Sequence, residues 1–364
     1  MLNDVKPMKK IIHIDADCFF AALEMRKNTR LKDIPIAVGG DPGRRGVIAT
    51  CNYMARQFGV RSAMASAYAK RLCPSLEILK PDFDLYRQVS AQMREVFHRY
   101  SDVVEPLSLD EAYLDVSQSD HFGGSATLIA EDIRKSIAKE LGITVSAGVA
   151  PVKFLAKIAS DWRKPDGLFT VVPDSVETFV AQLPLSLLPG VGKVTAEKLA
   201  RHGLHNCQDI IHSDPEFVLK RFGSFGVRLM ELSKGVDNNV VHASNTRKSI
   251  SIERTYPEDV SNVDELSTCL SDLISGLEER FSKLSTKHYV SKKFVKLKFD
   301  NFEQTTMETT ISRHADLFSM PDFQRLMQSG WHRQKRGVRL MGVGFRLTPL
   351  QECAEQLVLP FISD

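Results

Sequence analysis

The chain has 364 residues, with 48 Lys and Arg against 45 Asp and Glu and a formal net charge of +3. Apolar residues make up 43% and charged residues 26%, the proportions of a globular protein, which excludes a disordered or collagenous chain. That length leaves room for two or three compact domains with real cores. No window approaches 18 consecutive apolar residues, so no membrane span is expected. The opening MLNDVKPMKK lacks the apolar segment of a secretory signal. Cys18, Cys51, Cys73, Cys207, Cys269 and Cys353 are scattered without a CxxC pair, which points to reduced thiols in a cytoplasm and to neither a zinc site nor a disulfide framework.

In chain order, KKIIHIDADCFF (9–20) reads as a buried strand running into a helix. The segment 27–60 alternates Gly and Pro punctuation with short apolar runs, as in a small strand-and-turn subdomain. DVVEPLSLDEAYLDVS (102–117) reads as two short strands around a tight connection. ATLIAEDIRKSIAKELG (126–142) has helical periodicity ending at Gly142, followed by the strand ITVSAGVA (143–150) and the helix VKFLAKIASDW (152–162). This alternation predicts an α+β sheet with helices on one face. Residues 186–239 read as helical around LPGVGK and KRFGSFG, 240–246 as a linker, and strand patterns return at 249–256, 294–300 and 337–348.

Charge by segment says more than the total. Residues 240–350 carry 17 basic against 13 acidic side chains, and the last fourteen residues carry 3 acids and no base. Seven bases and one acid lie between Arg280 and Asp300, and five bases without an acid lie between Trp331 and Arg346. Such stretches can lay a positive stripe along a phosphate backbone or form an ordinary solvated face. LPGVGK has the form of a helix-hairpin-helix, whose glycines let backbone N–H groups approach a phosphate.

The acids are the sharper signal. Strand alternation puts Asp15 on the face of His13, with Ile12 and Ile14 opposite. Asp110 and Glu111 stand side by side in a second apolar strand pattern. Three carboxylates meeting on one sheet would make a hard-oxygen site suited to Mg²⁺ and to phosphoryl transfer. A lone acidic pair at a strand end more often faces water.

HIDADCFF (13–20), GVIATCNYMARQFGVRSAM (46–64), PLSLDEAYLDV (106–116) and SAGVAPVKFLAKIASDWRKPDG (146–167) resemble, in order, the motifs of the Y-family translesion DNA polymerases, with bacterial members nearest. The resemblance runs from Lys9 to the C-terminus. It implies an α+β right-hand polymerase with a ferredoxin-like palm (8–18 and 80–173), small fingers (19–79) and a helical, hairpin-containing thumb (174–239). A linker (240–247), an α/β little finger (248–349) and a clamp-binding tail (350–364) complete it. The implied activity is template-directed, low-fidelity addition of dNTPs to a primer 3′-hydroxyl by a cytoplasmic monomer without a proofreading exonuclease.

Carried over by residue, the resemblance assigns two Mg²⁺ ions to the carboxylates of Asp15, Asp110 and Glu111 and the carbonyl of Ala16, with Asp17 outside direct coordination. Phe20 falls where the family blocks a ribose 2′-hydroxyl. Tyr53, Arg56 and Lys164 match residues that grip the triphosphate, and Tyr86 one near the nucleotide sugar. Gly190, Gly192 and Lys193 in the hairpin, with Lys292, Lys293, Lys296, Arg336 and Arg339 in the little finger, are expected to contact primer–template DNA. Gln356, Leu357, Leu359 and Phe361 are expected to dock on the sliding clamp.

Overall fold

The computed structural model describes residues 9–243, 247–284, 288–312 and 316–349. Gln356, Leu357, Leu359 and Phe361 lie outside them, as does the whole expected tail. The chain divides into two compact units between Asn245 and Thr246, with Gly43–Arg45 grouped with the second.

Strand β1 (Ile11–Ala16) runs into helix α1 (Phe19–Lys27) through Cys18, whose left-handed backbone (φ 44°) makes the turn sharp. A three-stranded sheet follows, built of β2 (Ile36–Gly39), β3 (Ile48–Cys51) and β4 (Glu77–Leu79) in the order β3-β2-β4. Between β3 and β4 lie the short helices α2 (Tyr53–Gln57) and α3 (Ser66–Leu72). Asn52 starts α2 by accepting from the Ala55 N–H, and its amide also bonds the Ile34 carbonyl, so one side chain fixes both the helix and the neighbouring loop.

Helix α4 (Phe83–His98) leads to β5 (Val104–Pro106) and β6 (Glu111–Asp115), then to α5 (Ala126–Leu141), β7 (Val145–Ala150), α6 (Lys153–Asp161) and β8 (Leu168–Thr170). These strands form one sheet in the order β5-β6-β1-β7-β8, with β1 antiparallel to both neighbours. Helix α5 is capped by Ser125 and stopped by Gly142 in the left-handed region, and it buries Ile129, Ile133 and Ile137 at four-residue spacing.

The sheet is covered on both faces, not on one as its sequence suggested. Ile12 and Ile14 pack with Val89 and Met93 of α4 and Ile129 and Ile133 of α5. Ile11, Tyr113 and Ala150 pack instead with Phe154 and Leu155 of α6. The reason is compositional: Ile11, Ile12 and Ile14 are all fully buried, so the strand has no polar face to leave in water. Gly148 makes the second layer fit, because a Cβ there would lie 2.0 Å from the Ala156 carbonyl oxygen of α6.

The rest of this unit is helical: α7 (Val176–Ala181), α8 (Lys193–Ala200), α9 (Cys207–His212), α10 (Pro215–Phe222) and α11 (Ser224–Ser233). Its final stretch is tied down by a buried ion pair. Glu105 accepts from Lys153 at 2.7 Å and from the His242 N–H at 2.8 Å, while Lys153 also donates to the Val240 carbonyl at 3.1 Å.

The second unit contains β9 (Ser249–Val260), α12 (Val263–Ser282), β10 (His288–Phe299), β11 (Gln304–Thr310), α13 (Met320–His332) and β12 (Val338–Pro349). The sheet order is β11-β10-β12-β9, with every pair antiparallel. Leu266, Leu270, Leu273 and Leu277 of α12 and Phe323 and Met327 of α13 cover Val295, Leu297, Val343 and Phe345 on one face. Each such fully buried aliphatic side chain contributes about 1.5–3 kcal/mol.

Candidate active site

The register of the large sheet assembles the acids. Asp15 on β1 stands opposite Glu111 on β6, and the Ala16 N–H bonds the Asp110 carbonyl at 3.0 Å. Ninety-five positions of sequence are thereby reduced to one turn of sheet edge.

Asp15, Ala16, Phe20, Tyr53, Arg56, Asp110 and Lys164 line a single cavity of about 310 Å³, together with Cys18, Thr50 and Ser62. Two cations, two carboxylates and the Phe20 and Tyr53 side chains therefore face a common space. Among the described residues no three metal-ligating side chains stand in a ready-made cluster. Each acid is instead held by a neighbour. Lys164 bonds Asp15 at 2.8 Å and Asp161 at 2.7 Å. Lys157 contacts Glu111, and Ser108 donates to Asp110.

The electrostatics follow from burial and pairing. Burial pushes the Asp15 carboxyl up from its ordinary 3.8 to about 6, with Lys164 pulling it back and Asp110 adding to the rise. Glu111 moves the other way, to about 2, because His13 and then Lys157 favour its charged form against burial. Lys164 is raised: burial opposes its charge, but Asp15 and Asp161 outweigh it. By donor chemistry the set fits a divalent cation, since Asp15 on β1, Glu111 at the start of β6 and Asp110 in the bend just before it supply hard oxygens. The lysines on Asp15 and Glu111 supply the counter-charge that a cation would replace.

Asp17 is turned away from the cavity. It is buried, and its two oxygens accept from Ser146 Oγ (2.8 Å), Thr144 Oγ1 (2.8 Å), the Asp166 N–H (2.8 Å) and Tyr53 Oη (3.3 Å). A carboxylate so fully bonded anchors the Lys164 loop and Tyr53 around β1. Tyr53 and Arg56 share one face of α2, and the Arg56 guanidinium lies 4.5 Å from the centre of the Tyr53 ring.

Two expected contacts are corrected. Tyr86 has no exposed surface and lies behind Phe20, so it does not reach a nucleotide sugar; its hydroxyl donates to Glu24 at 2.6 Å. Lys293 is only 1% exposed, because strand alternation sends it with Val295 and Leu297 toward the helices. There it donates to Asp322 at 2.8 Å and to the Asp316 carbonyl at 3.0 Å, so it has no free charge for DNA.

Lys292 and Lys296 occupy the opposite, uncovered face of that sheet, paired with Glu308 (2.5 Å) and Glu253 (2.9 Å). Arg336 pairs with Asp300 at 2.7 Å, and Arg339 lies over the Phe302 ring at 4.8 Å. In the helical part, Gly190 takes a positive φ of 86° and Gly192 caps α8 with nothing within 4 Å of a would-be Cβ. Lys193 begins α8 and is exposed.

A larger groove of about 640 Å³ runs beside the carboxylates, lined by Leu107, Tyr113, Lys157, Trp162, Leu187 and Pro189 among others. It joins the Lys157 end of α6 to the hairpin at Pro189. Lys157, Asp161 and Glu24 escaped the sequence reading. The first two carried one signal, their four-residue spacing on a helix whose other face is apolar.

Known proteins resemble this chain in sequence and fold. Family models match residues 14–161 (impB/mucB/samB family), 173–204 (IMS family HHH motif) and 247–357 (impB/mucB/samB family C-terminal domain). A DNA polymerase IV of Pseudomonas entomophila (strain L48) is 53% identical over 352 residues, covering 97% of this chain and 98% of that one. A DNA polymerase IV of Pseudomonas aeruginosa (strain UCBPP-PA14) is 53% identical over 355 residues, covering 97% and 100%. Among solved structures, a Y-family DNA polymerase chimera of Dbh and Dpo4 superposes with a TM-score of 0.84 at 27% identity, over 93% of this chain and 98% of that one. With models in both units, relatives matched end to end and a polymerase architecture, the chain belongs to the Y-family of translesion DNA polymerases, as a DNA-directed DNA polymerase.

Proposed function

We propose that Asp15, Asp110 and Glu111, with the Ala16 carbonyl, hold two Mg²⁺ ions for attack of a primer 3′-hydroxyl on the α-phosphate of a dNTP. The observation that carries this is the 310 Å³ cavity, which gathers Asp15, Asp110, Lys164, Arg56 and Phe20 around one space. Bound Mg²⁺ supplies activation of the attacking oxygen and neutralisation of the developing phosphate charge.

The chain's own side chains do the positioning. Arg56 offers a planar fork to phosphate oxygens, and Lys164 a point charge that exchanges Asp15 for phosphate. Tyr53, held by Asp17, fixes the wall beside them. The Phe20 ring closes the space that a 2′-hydroxyl would need. The groove from Lys157 to Pro189 suits a primer strand, with apolar walls for its sugars and the Gly190–Lys193 hairpin for its phosphates. Lys292, Lys296, Arg336 and Arg339 add backbone contacts from the second unit, so binding weakens steeply with salt.

The same reading takes 8–18 with 80–173 as palm, 19–79 as fingers, 174–239 as thumb, 240–247 as linker and 248–349 as little finger, in a monomer without proofreading. It takes 356–361 as the clamp-docking peptide. Asp110→Ala should bind primer–template DNA normally and extend no primer; full extension would sink the assignment. Removing residues 356–364 should abolish stimulation by the clamp and spare basal synthesis; persistent stimulation would place the docking site elsewhere.

A further inference from the structure

Glu111 is backed by a buried imidazole that the proposed chemistry does not use. His13 has no exposed surface, and its ring packs on Tyr113 with centroids 4.7 Å apart. Its Nδ1 lies 2.8 Å from Ser160 Oγ on α6, and its Nε2 lies 3.2 Å from Glu111 Oε2. Nε2 has no well-aligned hydrogen-bond partner, while the Lys157 ammonium contacts that same Oε2.

The donor and acceptor inventory fixes the ring. An ionised carboxylate only accepts, so the nitrogen facing Glu111 carries the hydrogen. Nδ1 is then the acceptor, and the Ser160 hydroxyl is the donor within reach. That hydroxyl also lies 2.8 Å from the Lys157 carbonyl. The carbonyl belongs to the hydrogen-bond ladder of α6, so it loses little if the hydroxyl turns to His13.

We propose that Ser160 and His13 form a positioning pair for Glu111: Ser160 holds the ring in place through Nδ1, and Nε2–H holds Oε2 once a cation replaces Lys157 as its counter-charge. The inference rests on the reading of Glu111 as a cation ligand. Hydrogen bonds to ligating carboxylates are a common way of orienting them, and losing such a partner lowers metal affinity by about 10- to 100-fold.

The test uses the full chain bound to a dideoxy-terminated primer–template, with Mn²⁺ titrated and followed by electron paramagnetic resonance. His13→Leu should weaken Mn²⁺ binding about 10- to 100-fold. His13→Gln, whose amide nitrogen replaces Nε2, should stay near the wild type. Nitrogen NMR of labelled histidine should show the His13 proton on Nε2, and Ser160→Ala should keep that tautomer while weakening Mn²⁺ binding about 10-fold. A wild-type ring protonated on Nδ1 alone overturns the proposal. So does a folded His13→Leu that binds Mn²⁺ normally while Glu111→Gln does not. Normal Mn²⁺ binding by Glu111→Gln would overturn the reading of Glu111 itself. If His13→Leu does not fold, the NMR measurement and Ser160→Ala decide.

Discussion

Phe20 lies flat on Tyr86, with ring centroids 4.3 Å apart and planes 12° from parallel. Tyr86 is wholly buried and bonded to Glu24, so the ring facing the cavity rests on one that cannot move. Phe19, its neighbour in sequence, is buried at the junction of β1 and α1 and supports Tyr86 from another side.

Sugar selectivity should therefore depend on the stack as well as on Phe20. Phe20→Ala should raise ribonucleotide insertion relative to deoxynucleotide insertion by about 10- to 100-fold. Tyr86→Leu retains bulk but removes the stacked face, worth about 0.5–1.5 kcal/mol, so the ratio should shift by about 2- to 12-fold. Single-nucleotide kinetics with paired rNTP and dNTP measure both. An unchanged ratio in Tyr86→Leu would show that the gate stands without its support.

Asp15 makes the metal-free protein sensitive to pH. Its folded pKa of about 6 exceeds the ordinary 3.8, so the native site binds the proton more tightly than the unfolded chain. The stabilising contribution is full below pH 4 and is lost as pH rises through 6. Asp15→Asn should thus raise stability in chelator by about 1–3 kcal/mol at pH 8, with the gain vanishing near pH 4. Denaturant titrations at the two pH values check it, and a gain independent of pH would contradict it.

Two lysines of strand β10 should behave differently. Lys293→Met leaves Asp322 paired only with Arg325 and takes the donor from the Asp316 carbonyl, and should destabilise the second unit by about 1–3 kcal/mol. Lys296→Ala, on the uncovered face, should change stability by less than about 0.5 kcal/mol and reduce the salt slope of DNA binding by about one. Chemical denaturation and salt-dependent anisotropy separate the two effects. Equal losses of stability would refute the assignment of faces.

Two glycines offer a similar contrast. At Gly148 a Cβ would meet the Ala156 carbonyl oxygen at 2.0 Å and the Ser160 nitrogen at 2.3 Å, both backbone atoms of α6. Gly148→Ala should cost about 3 kcal/mol or more and impair extension by displacing Lys157 and Ser160. Gly192→Ala meets nothing within 4 Å and should fold normally while binding DNA less well. Thermal melts with binding isotherms distinguish them, and a stable, active Gly148→Ala would show that α6 can retreat from the sheet.

Much of this molecule is written locally. The period of two in IIHIDA, the stripe Ile129, Ile133, Ile137 with its stop at Gly142, and the three-residue step from Tyr53 to Arg56 follow from backbone geometry acting over a few residues. The family motifs are legible for the same reason, since each is a short string. Strand β11 and helices α12 and α13 were less legible. QTTMETT carries a single apolar side chain, Met307, and becomes a strand because β10 offers it a ladder of partners.

The sequence by itself determined the acids, the hairpin, the paired Phe19 and Phe20 and the uneven charge hidden in a total of +3. Only the tertiary structure decided which of two adjacent lysines faces water, that Tyr86 supports Phe20 instead of touching substrate, and that a second helical layer covers the sheet. These are questions of which face a side chain takes and what lies across from it. Alternation gives two faces but not their coverings, and pairings such as His13 with Glu111 and Ser160 join residues that only the fold brings within a hydrogen bond of one another.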